Sequence, residues 1–155
     1  MLIPMSPAEK GEFLRRSLQV FAAETATAAG IDREAALEQA RKQMQSLLPD
    51  GPDTVGHRFC WIGDGSERVG QVWFGPAPVG GGAYIFDLEV DPVHRRKGHA
   101  ARALDEVIAW ARREEFPSVG RSVFDHNPGA RRLYEAAGFA LVGFRAGQTE
   151  MRLVL

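Results

Sequence analysis

The sequence predicts an α/β fold in which a mixed sheet is flanked by helices. Two observations predict this class. Apolar residues recur at helical spacing in four segments, and six segments with strand character lie among or after them. In chain order these elements are two helices, three strands, a helix, a strand, a helix and two strands, an order that requires parallel and antiparallel neighbours in one sheet. The 155 residues have the length of one ordinary domain, so we expect residues 1–155 to form a single domain.

The N-terminal third of the chain predicts two consecutive helices. Ser6-Pro7-Ala8-Glu9 has the pattern of a capping box with proline in the first turn, and the helical spacing that follows lasts until Gly30. Asp32 can cap a second helix, which should end before Pro49. Because only Leu2 and Ile3 lie between the initial methionine and the first proline, a strand ahead of the first helix is expected to be short.

The rest of the chain alternates between strand and helix patterns. The strongest amphipathic series runs from Gly98 to about Glu114, and Asn127-Pro128 begins a shorter helix that Gly138 ends. The C-terminal strand Met151–Leu155 alternates in polarity and could pair with another subunit, which would make a homodimer. Strands are predicted at residues 58–62, 68–74, 84–90, 119–124, 139–144 and 150–155.

Charge and composition exclude several classes of protein. The 19 Lys and Arg residues nearly cancel the 20 Asp and Glu residues, so a net charge of −1 provides no basic field for a nucleic acid or an anionic membrane. No apolar run approaches the roughly 18 residues of a membrane span, and the N-terminus lacks a signal-peptide pattern. The single cysteine, Cys60, excludes an intramolecular disulfide, and the four histidines offer no spacing for a tetrahedral metal site. We expect a cytoplasmic protein without a metal and without a nucleic-acid or membrane partner.

A basic segment opens the strongest predicted helix. Residues 94–102 contain four Lys or Arg, two His and no acid. Positive side chains at a helix N-terminus meet the positive end of the helix dipole, and the first N–H groups there lack intrahelical partners. A phosphate or pyrophosphate would reverse both effects, and the small residues Gly98 and Ala100 would let its oxygens approach the backbone. A solvated basic loop explains the charges almost equally well.

Two motifs in this part of the chain resemble those of one enzyme family. Arg95-x-x-Gly98-x-Ala100, which follows Val90-Asp91-Pro92, is similar to the acetyl-CoA pyrophosphate loop of the GNAT superfamily of N-acetyltransferases. The segment 127–139, with Leu133-Tyr134 and the closing Gly138-Phe139, resembles the second signature of the same superfamily. The two motifs occur in the family's order, and the helices and the hairpin before them fit its layout.

The resemblance implies a GNAT-like acyltransferase fold and acetyl-CoA as the cosubstrate. It also implies that the strand at 84–90 splays from the next strand, so that its main chain can pair with the pantetheine arm while the loop before the third helix holds the pyrophosphate. The residues to which it assigns cofactor binding are Leu88, Val90, Arg95, Arg96, Lys97, Gly98, His99, Ala100, Asn127 and Tyr134.

Tyr134 and Asn127 each have two interpretations. The resemblance makes Tyr134 the general acid that protonates the departing thiolate, whereas its spacing from Ala130 and Ala137 alone favours packing in the core. Asn127 precedes a proline and is therefore a good N-cap, a role compatible with a contact to the cofactor. We expect Tyr134 to be catalytic and Asn127 to have both roles.

A general base is needed because an alkyl ammonium keeps its proton at neutral pH. Glu89 is the first choice and Asp87 the second, and either could instead be a solvated or ion-paired acid. Strand alternation predicts both acids on the face of Ile85, opposite Phe86 and Leu88.

These observations predict an N-acetyltransferase that moves the acetyl group of acetyl-CoA to a primary amine by direct attack in a ternary complex. The acceptor, a small amine or a peptide amine, carries no motif of its own. A catalytically silent acyl-CoA-binding or sensor domain of the same fold is the alternative. Nucleic-acid binding through residues 95–102 is disfavoured because the segment lacks interleaved aromatic residues.

Overall fold

A computed structural model describes residues 1–145 and 147–155 of the chain. Within these residues it contains seven strands and four α-helices, with a 3-10 turn at Gly51–Asp53 and another at Pro92–His94. The elements are β1 (Leu2–Pro4), α1 (Pro7–Ala29), α2 (Arg33–Leu47), β2 (Arg58–Asp64), β3 (Glu67–Pro76), β4 (Ala83–Val90), α3 (His99–Arg113), β5 (Ser118–Phe124), α4 (Pro128–Ala136), β6 (Ala140–Arg145) and β7 (Gln148–Val154).

The strands form one mixed sheet in the order β1-β2-β3-β4-β5-β7-β6, which confirms the predicted fold class. The pairing between β4 and β5 is parallel, and the other ladders are antiparallel. The short β1 pairs with β2 through Leu2 and Ile62. The prediction that the C-terminal strand could pair with another subunit is wrong for this strand, because β7 lies between β5 and β6 and both of its edges are paired. The free edge at that end of the sheet belongs to β6.

The first two helices begin and end at the predicted signals. The Ser6 hydroxyl accepts from the Glu9 N–H at 3.2 Å, and the Glu9 carboxylate accepts from the Ser6 N–H at 2.8 Å, which completes the capping box of α1. Gly30 ends this helix in the left-handed conformation, with φ of 66°. Asp32 caps α2 by accepting from the Ala35 N–H at 2.8 Å.

Each face of the sheet carries its own apolar core. On one face α3 and α4 pack against the central strands, with Leu104, Val107 and Tyr134 in the same cluster as Ile85 and the β5 valines. On the other face Phe13 of α1 packs edge-on against Phe59 and Trp73. The central strands are therefore covered on both sides, and a functional group on them is shielded from water.

A β-bulge interrupts the alternation of β4. Asp87 pairs with Trp73, but the next register pair joins Ile85 to Phe74, so Phe86 is an extra residue on β4. Ile85 consequently packs in the same core cluster as Leu88, three positions along the strand. The prediction that Asp87 and Glu89 share a face with Ile85 is therefore wrong. The two acids do share a face with each other, because their partners on β3, Trp73 and Gln71, are two residues apart.

A cleft opens between β4 and β5 beyond this bulge. Their parallel ladder joins Ala83 to Val119, Tyr84 to Gly120 and Ile85 to Arg121, and the described chain has no further β4–β5 pair. Strand β5 continues to Phe124 paired with β7 alone. The two strands therefore splay apart, as the resemblance implied.

Candidate active site

The β4 wall of the cleft presents main-chain groups of Leu88 and Val90. The Asp91 N–H donates to the Val69 oxygen of β3 at 2.8 Å, and successive residues of a strand direct their backbone groups to opposite neighbours. Leu88 and Val90 therefore direct theirs away from β3 and into the cleft. The Val90 oxygen accepts a hydrogen bond from Nε of Arg95 at 2.8 Å, which confirms this direction.

The loop before α3 has the backbone of an anion site. Arg96 and Gly98 both adopt left-handed conformations, with φ of 63° and 82°. Gly98 is the N-cap of α3 and offers no side chain to the first N–H groups of the helix. The N-caps of α1, α2 and α4 all accept such a hydrogen bond through their side chains. The amides that begin α3 are thus left for a ligand, and the positive end of the helix dipole favours an anion there.

A cavity of about 220 Å³ adjoins this loop. It brings together most of the residues predicted to bind the phosphates, and Leu133 of α4 also lines it. Lys97 does not line it; its main-chain oxygen accepts from the Arg102 guanidinium at 3.2 Å, a bond that ties the loop to the first turn of α3. The lining residues are Val90, His94, Arg95, Arg96, Gly98, His99, Ala100, Ala101 and Leu133.

The His99 side chain faces the β2–β3 hairpin. It is 4% exposed, with Nδ1 2.6 Å from a guanidinium nitrogen of Arg102 and Nε2 3.6 Å from a carboxylate oxygen of Asp64. Its contribution to an anion site is therefore its main-chain N–H at the first position of α3.

Asn127 caps α4, as predicted. Its side-chain oxygen accepts from the Ala130 N–H at 3.2 Å. Asn127 also lines a second cavity of about 250 Å³, whose walls include Asp125 and Arg131. The cap leaves this residue at the surface of that cavity, where a ligand could contact it.

Tyr134 lies in the core and beside a cation. It is 1% exposed and packs edge-on against Phe139, with ring centroids 5.3 Å apart. The central carbon of the Arg121 guanidinium lies 5.8 Å from the centre of the Tyr134 ring. Burial raises the pKa of Tyr134, and the Arg121 charge opposes that rise. The packing interpretation of Tyr134 is thus observed, and the arginine adds an electrostatic environment that packing does not require.

The two acids of β4 have different surroundings. Asp87 is partly buried, and burial raises its pKa to about 6 although the Arg121 charge and a hydrogen bond from Gln71 lower it. The Glu89 side chain is 49% exposed, and one of its oxygens lies 3.5 Å from the Arg95 guanidinium. A carboxyl that titrates near neutrality suits proton transfer better than a solvated, ion-paired one.

Comparisons with known proteins bear on this geometry. The model of the acetyltransferase (GNAT) family matches residues 22–139, three quarters of the chain, with the cleft, the α3 loop and Tyr134 inside the match. The chain belongs to the GNAT acetyltransferase family.

Individual relatives agree with this membership. The chain is 32% identical to YycN of Bacillus subtilis, over 90% of this chain and 91% of YycN. It is 29% identical to YdgE of the same organism, over 91% of this chain and 92% of YdgE. Both relatives are named as uncharacterised N-acetyltransferases. The crystal structure of YycN superposes with a TM-score of 0.83 over 94% of each chain. The PaiA N-acetyltransferase of Thermoplasma acidophilum, solved with coenzyme A, shares the fold at 13% identity, with a TM-score of 0.69 over 100% of this chain and 98% of PaiA.

Sequence reasoning missed Arg121 of this GNAT chain. Its Nη1 donates to the Ile85 oxygen at 3.1 Å, at the last β4–β5 pair before the cleft opens. The strand pattern could have indicated it, because Arg121 lies two residues from Val119 and from Val123, which are both buried, and therefore shares their core-facing side of the strand.

A second missed group bridges three strands beside the cleft. The Tyr84 hydroxyl and the Ser122 hydroxyl are hydrogen-bonded, and both contact the Glu150 carboxylate. Burial raises the pKa of Tyr84 to about 12, so this phenol stays protonated at neutral pH.

Neither a membrane span nor a metal cluster is found among the residues that the structure describes. No helix there combines the length and apolarity to cross a bilayer. No three His, Cys, Asp or Glu side chains there lie together in a way that could hold a metal ion.

Proposed function

We propose that this protein is an acetyl-CoA-dependent N-acetyltransferase that acetylates a primary amine by direct attack in a ternary complex. The observation that carries the proposal is that the β4–β5 cleft and the uncapped N-terminus of α3 meet at Val90, which lies on the cleft wall and lines the loop cavity. The anion site at the α3 loop suits the pyrophosphate of coenzyme A, and the adjoining β4–β5 cleft suits its pantetheine arm, whose amides can pair with a strand. The coenzyme A in PaiA supports the same cosubstrate here.

The residues at the loop fit a pyrophosphate. The main-chain N–H groups of residues 99 and 100 begin α3 without a capping side chain, and the glycine at position 98 leaves open the approach to them. The side chains of Arg95, Arg96 and Lys97 are exposed and add positive charge. The pantetheine arm would then pair with the main chain of Leu88 and Val90, while Asn127 at the start of α4 contacts the cofactor.

Two proton transfers complete the reaction. The amine nitrogen attacks the thioester carbonyl carbon, so that a C–N bond forms and the C–S bond breaks. Asp87 takes the proton that the amine loses, because its raised pKa makes it a competent base near neutrality. Tyr134 gives its phenolic proton to the departing thiolate. Glu89 is the weaker candidate for the base because it is exposed and paired with Arg95.

Release of free thiol from acetyl-CoA across a panel of amines, amino acids and peptides tests the proposal. We expect release with at least one acceptor and formation of the acetylated amine, both absent in a folded Gly98→Glu variant that cannot bind the pyrophosphate. Thiol release without an acetylated amine would mean hydrolysis and would contradict the proposal.

A silent acyl-CoA-binding domain is the second candidate. The observation that favours it is the packing of Tyr134 against Phe139, because a core residue of this kind would be retained without catalysis. Calorimetric binding of acetyl-CoA with no thiol release across the whole panel would select this alternative.

A further inference from the structure

We propose that Arg121 is a positioning residue of the acyl transfer: a fixed cation that balances negative charge on Asp87 before the reaction and on Tyr134 after it. The inference rests on the proposed function, since it assigns Arg121 a role in that reaction. It adds a residue that belongs to neither sequence motif.

The position of Arg121 at the closed end of the cleft carries the first step. It is the β5 member of the last β4–β5 pair, and Nη1 is anchored on the Ile85 oxygen at 3.1 Å. Its Nε is enclosed and has no hydrogen-bond partner among the described residues. An unused N–H donor on a guanidinium that is shielded from water lowers the stability of the fold, unless a nearby negative charge or a bound group compensates for it.

The charges around Arg121 come from both sides of the cleft. Tyr134 of α4 has its ring centre 5.8 Å from the guanidinium carbon, and Asp87 and Tyr84 of β4 and Glu24 of α1 also act on the Arg121 charge. Glu89 acts on Asp87, and His126 acts on Glu24. Burial lowers the pKa of Arg121, but Tyr134, Asp87, Tyr84 and Glu24 raise it by more, so the guanidinium stays a cation at every working pH.

The reaction moves one negative charge past this cation. At the start Asp87 is a carboxylate and Tyr134 a phenol; once the C–N bond has formed and the C–S bond has broken, Asp87 holds the amine proton and Tyr134 is a phenolate. The Arg121 charge lowers the pKa of both groups, so it stabilises the negative charge in each state. A proton that returns from Asp87 to Tyr134 through water then restores the starting state. A fixed charge of this kind needs no reorganisation during the step.

Arg121→Met and Arg121→Lys test the role, with Arg152→Met as the control, because Arg152 is an exposed arginine on the neighbouring strand β7. In Arg121→Met we expect kcat to fall at least tenfold and KM for acetyl-CoA to change less than threefold. The rising limb of the pH–rate profile should move upward from pH 6 by about one pH unit, since the pKa of Asp87 loses its stabilising cation. Arg121→Lys keeps the charge and should return the limb to within a few tenths of its wild-type position.

A titration of the Asp87 carboxyl carbon by NMR in the protein without substrate gives a readout that does not depend on turnover. An upward shift in Arg121→Met that Arg121→Lys reverses supports the inference, and an unshifted titration with unchanged kcat in folded Arg121→Met overturns it. If Arg121→Met does not fold, Arg121→Gln takes its place, because it removes the charge but keeps an N–H donor for the Ile85 oxygen. Wild-type kcat with an unshifted Asp87 titration in folded Arg121→Gln overturns the inference. If the wild-type protein acetylates no amine of the panel, the proposed function fails instead, whatever the titration gives.

Discussion

The Arg95 side chain donates a hydrogen bond from Nε to the main-chain oxygen of Val90, 2.8 Å away. Both residues are expected to bind the cofactor, yet here they bind each other. The arginine therefore covers one of the strand groups that the pantetheine arm would use, and this bond has to break for that group to pair with the arm. Binding of the cofactor should thus exchange an internal hydrogen bond for one to the ligand, while the guanidinium is released toward the phosphates.

Arg95→Ala should separate these two effects. Loss of the charge should weaken CoA binding by about 1.5–3 kcal/mol, the range for a hydrogen bond to a charged group. Pantetheine, which lacks the pyrophosphate, should bind the variant at least as well as the wild type, because the Val90 oxygen is already free. Competition against acetyl-CoA turnover measures both affinities, with Arg113→Ala at the far end of α3 as the control for charge alone. An equal loss for CoA and pantetheine would place Arg95 on the pantetheine arm instead.

Gly98→Glu should abolish CoA binding without unfolding the protein. Position 98 has φ of 82°, and a Cβ there would lie 3.1 Å from a guanidinium nitrogen of Arg102, a side chain end that can move. Gly30 has φ of 66° at the end of α1 with nothing within 4 Å of a Cβ, so Gly30→Glu carries the same charge and similar backbone strain away from the site. Calorimetry with CoA and thermal unfolding compare the two variants. CoA affinity that is equal in both would remove the phosphates from the α3 loop.

The helices could be predicted from sequence because the signals for their ends are local. The Ser6 capping box, the Gly30 stop and the Asp32 cap each depend on a few adjacent residues. Apolar spacing in the third helix gave the face that Leu104 and Val107 bury.

The parts that sequence could not predict depend on partners distant in the chain. The extra residue Phe86 exists only relative to the register of β3, and it reversed the expected face of Ile85. Strand β7 lies inside the sheet because the connection after β5 places β6 at the edge and leaves the position between β5 and β6 to β7. The surroundings of Arg121 depend on three separate elements, α1, β4 and α4, so a single strand pattern could mark it as unusual but could not assign its neighbours.

Asp87→Asn should abolish base catalysis and stabilise the fold at neutral pH. The folded pKa of Asp87 is about 6, above the 3.8 of an ordinary aspartate, so the folded state binds the proton more tightly than the unfolded chain does. Stability consequently falls as pH rises from about 4 to about 6, and the full cost is present above that window. Removal of the titrating group should raise the free energy of unfolding by about 3 kcal/mol at pH 8 and by nearly nothing below pH 4.

Chemical denaturation of both proteins at several pH values checks this stability difference. Glu89→Gln is the matched control, because loss of the exposed Glu89 carboxyl should change neither the stability nor kcat by a large factor. A Glu89→Gln variant with the larger loss of kcat would transfer the base to Glu89, and a pH-independent stability difference in Asp87→Asn would contradict the raised pKa.

Tyr134→Phe decides between the two interpretations of the second motif. The variant keeps the ring that is 1% exposed and packed against Phe139, so packing alone predicts nearly normal stability and activity. If the phenol donates the proton to the thiolate, acetyl-CoA binding should be nearly unchanged while kcat falls by about 10²-fold or more, because only a contact made in the transition state is lost. Steady-state kinetics with an accepted amine measure the difference, under conditions in which chemistry and not product release limits wild-type turnover.

The chain has one other tyrosine, and Tyr84→Phe is therefore the control for Tyr134→Phe. It removes a hydroxyl bound to Ser122 and Glu150 and should lower stability more than kcat. Full kcat in Tyr134→Phe would make this residue structural and leave the thiolate to take its proton from water.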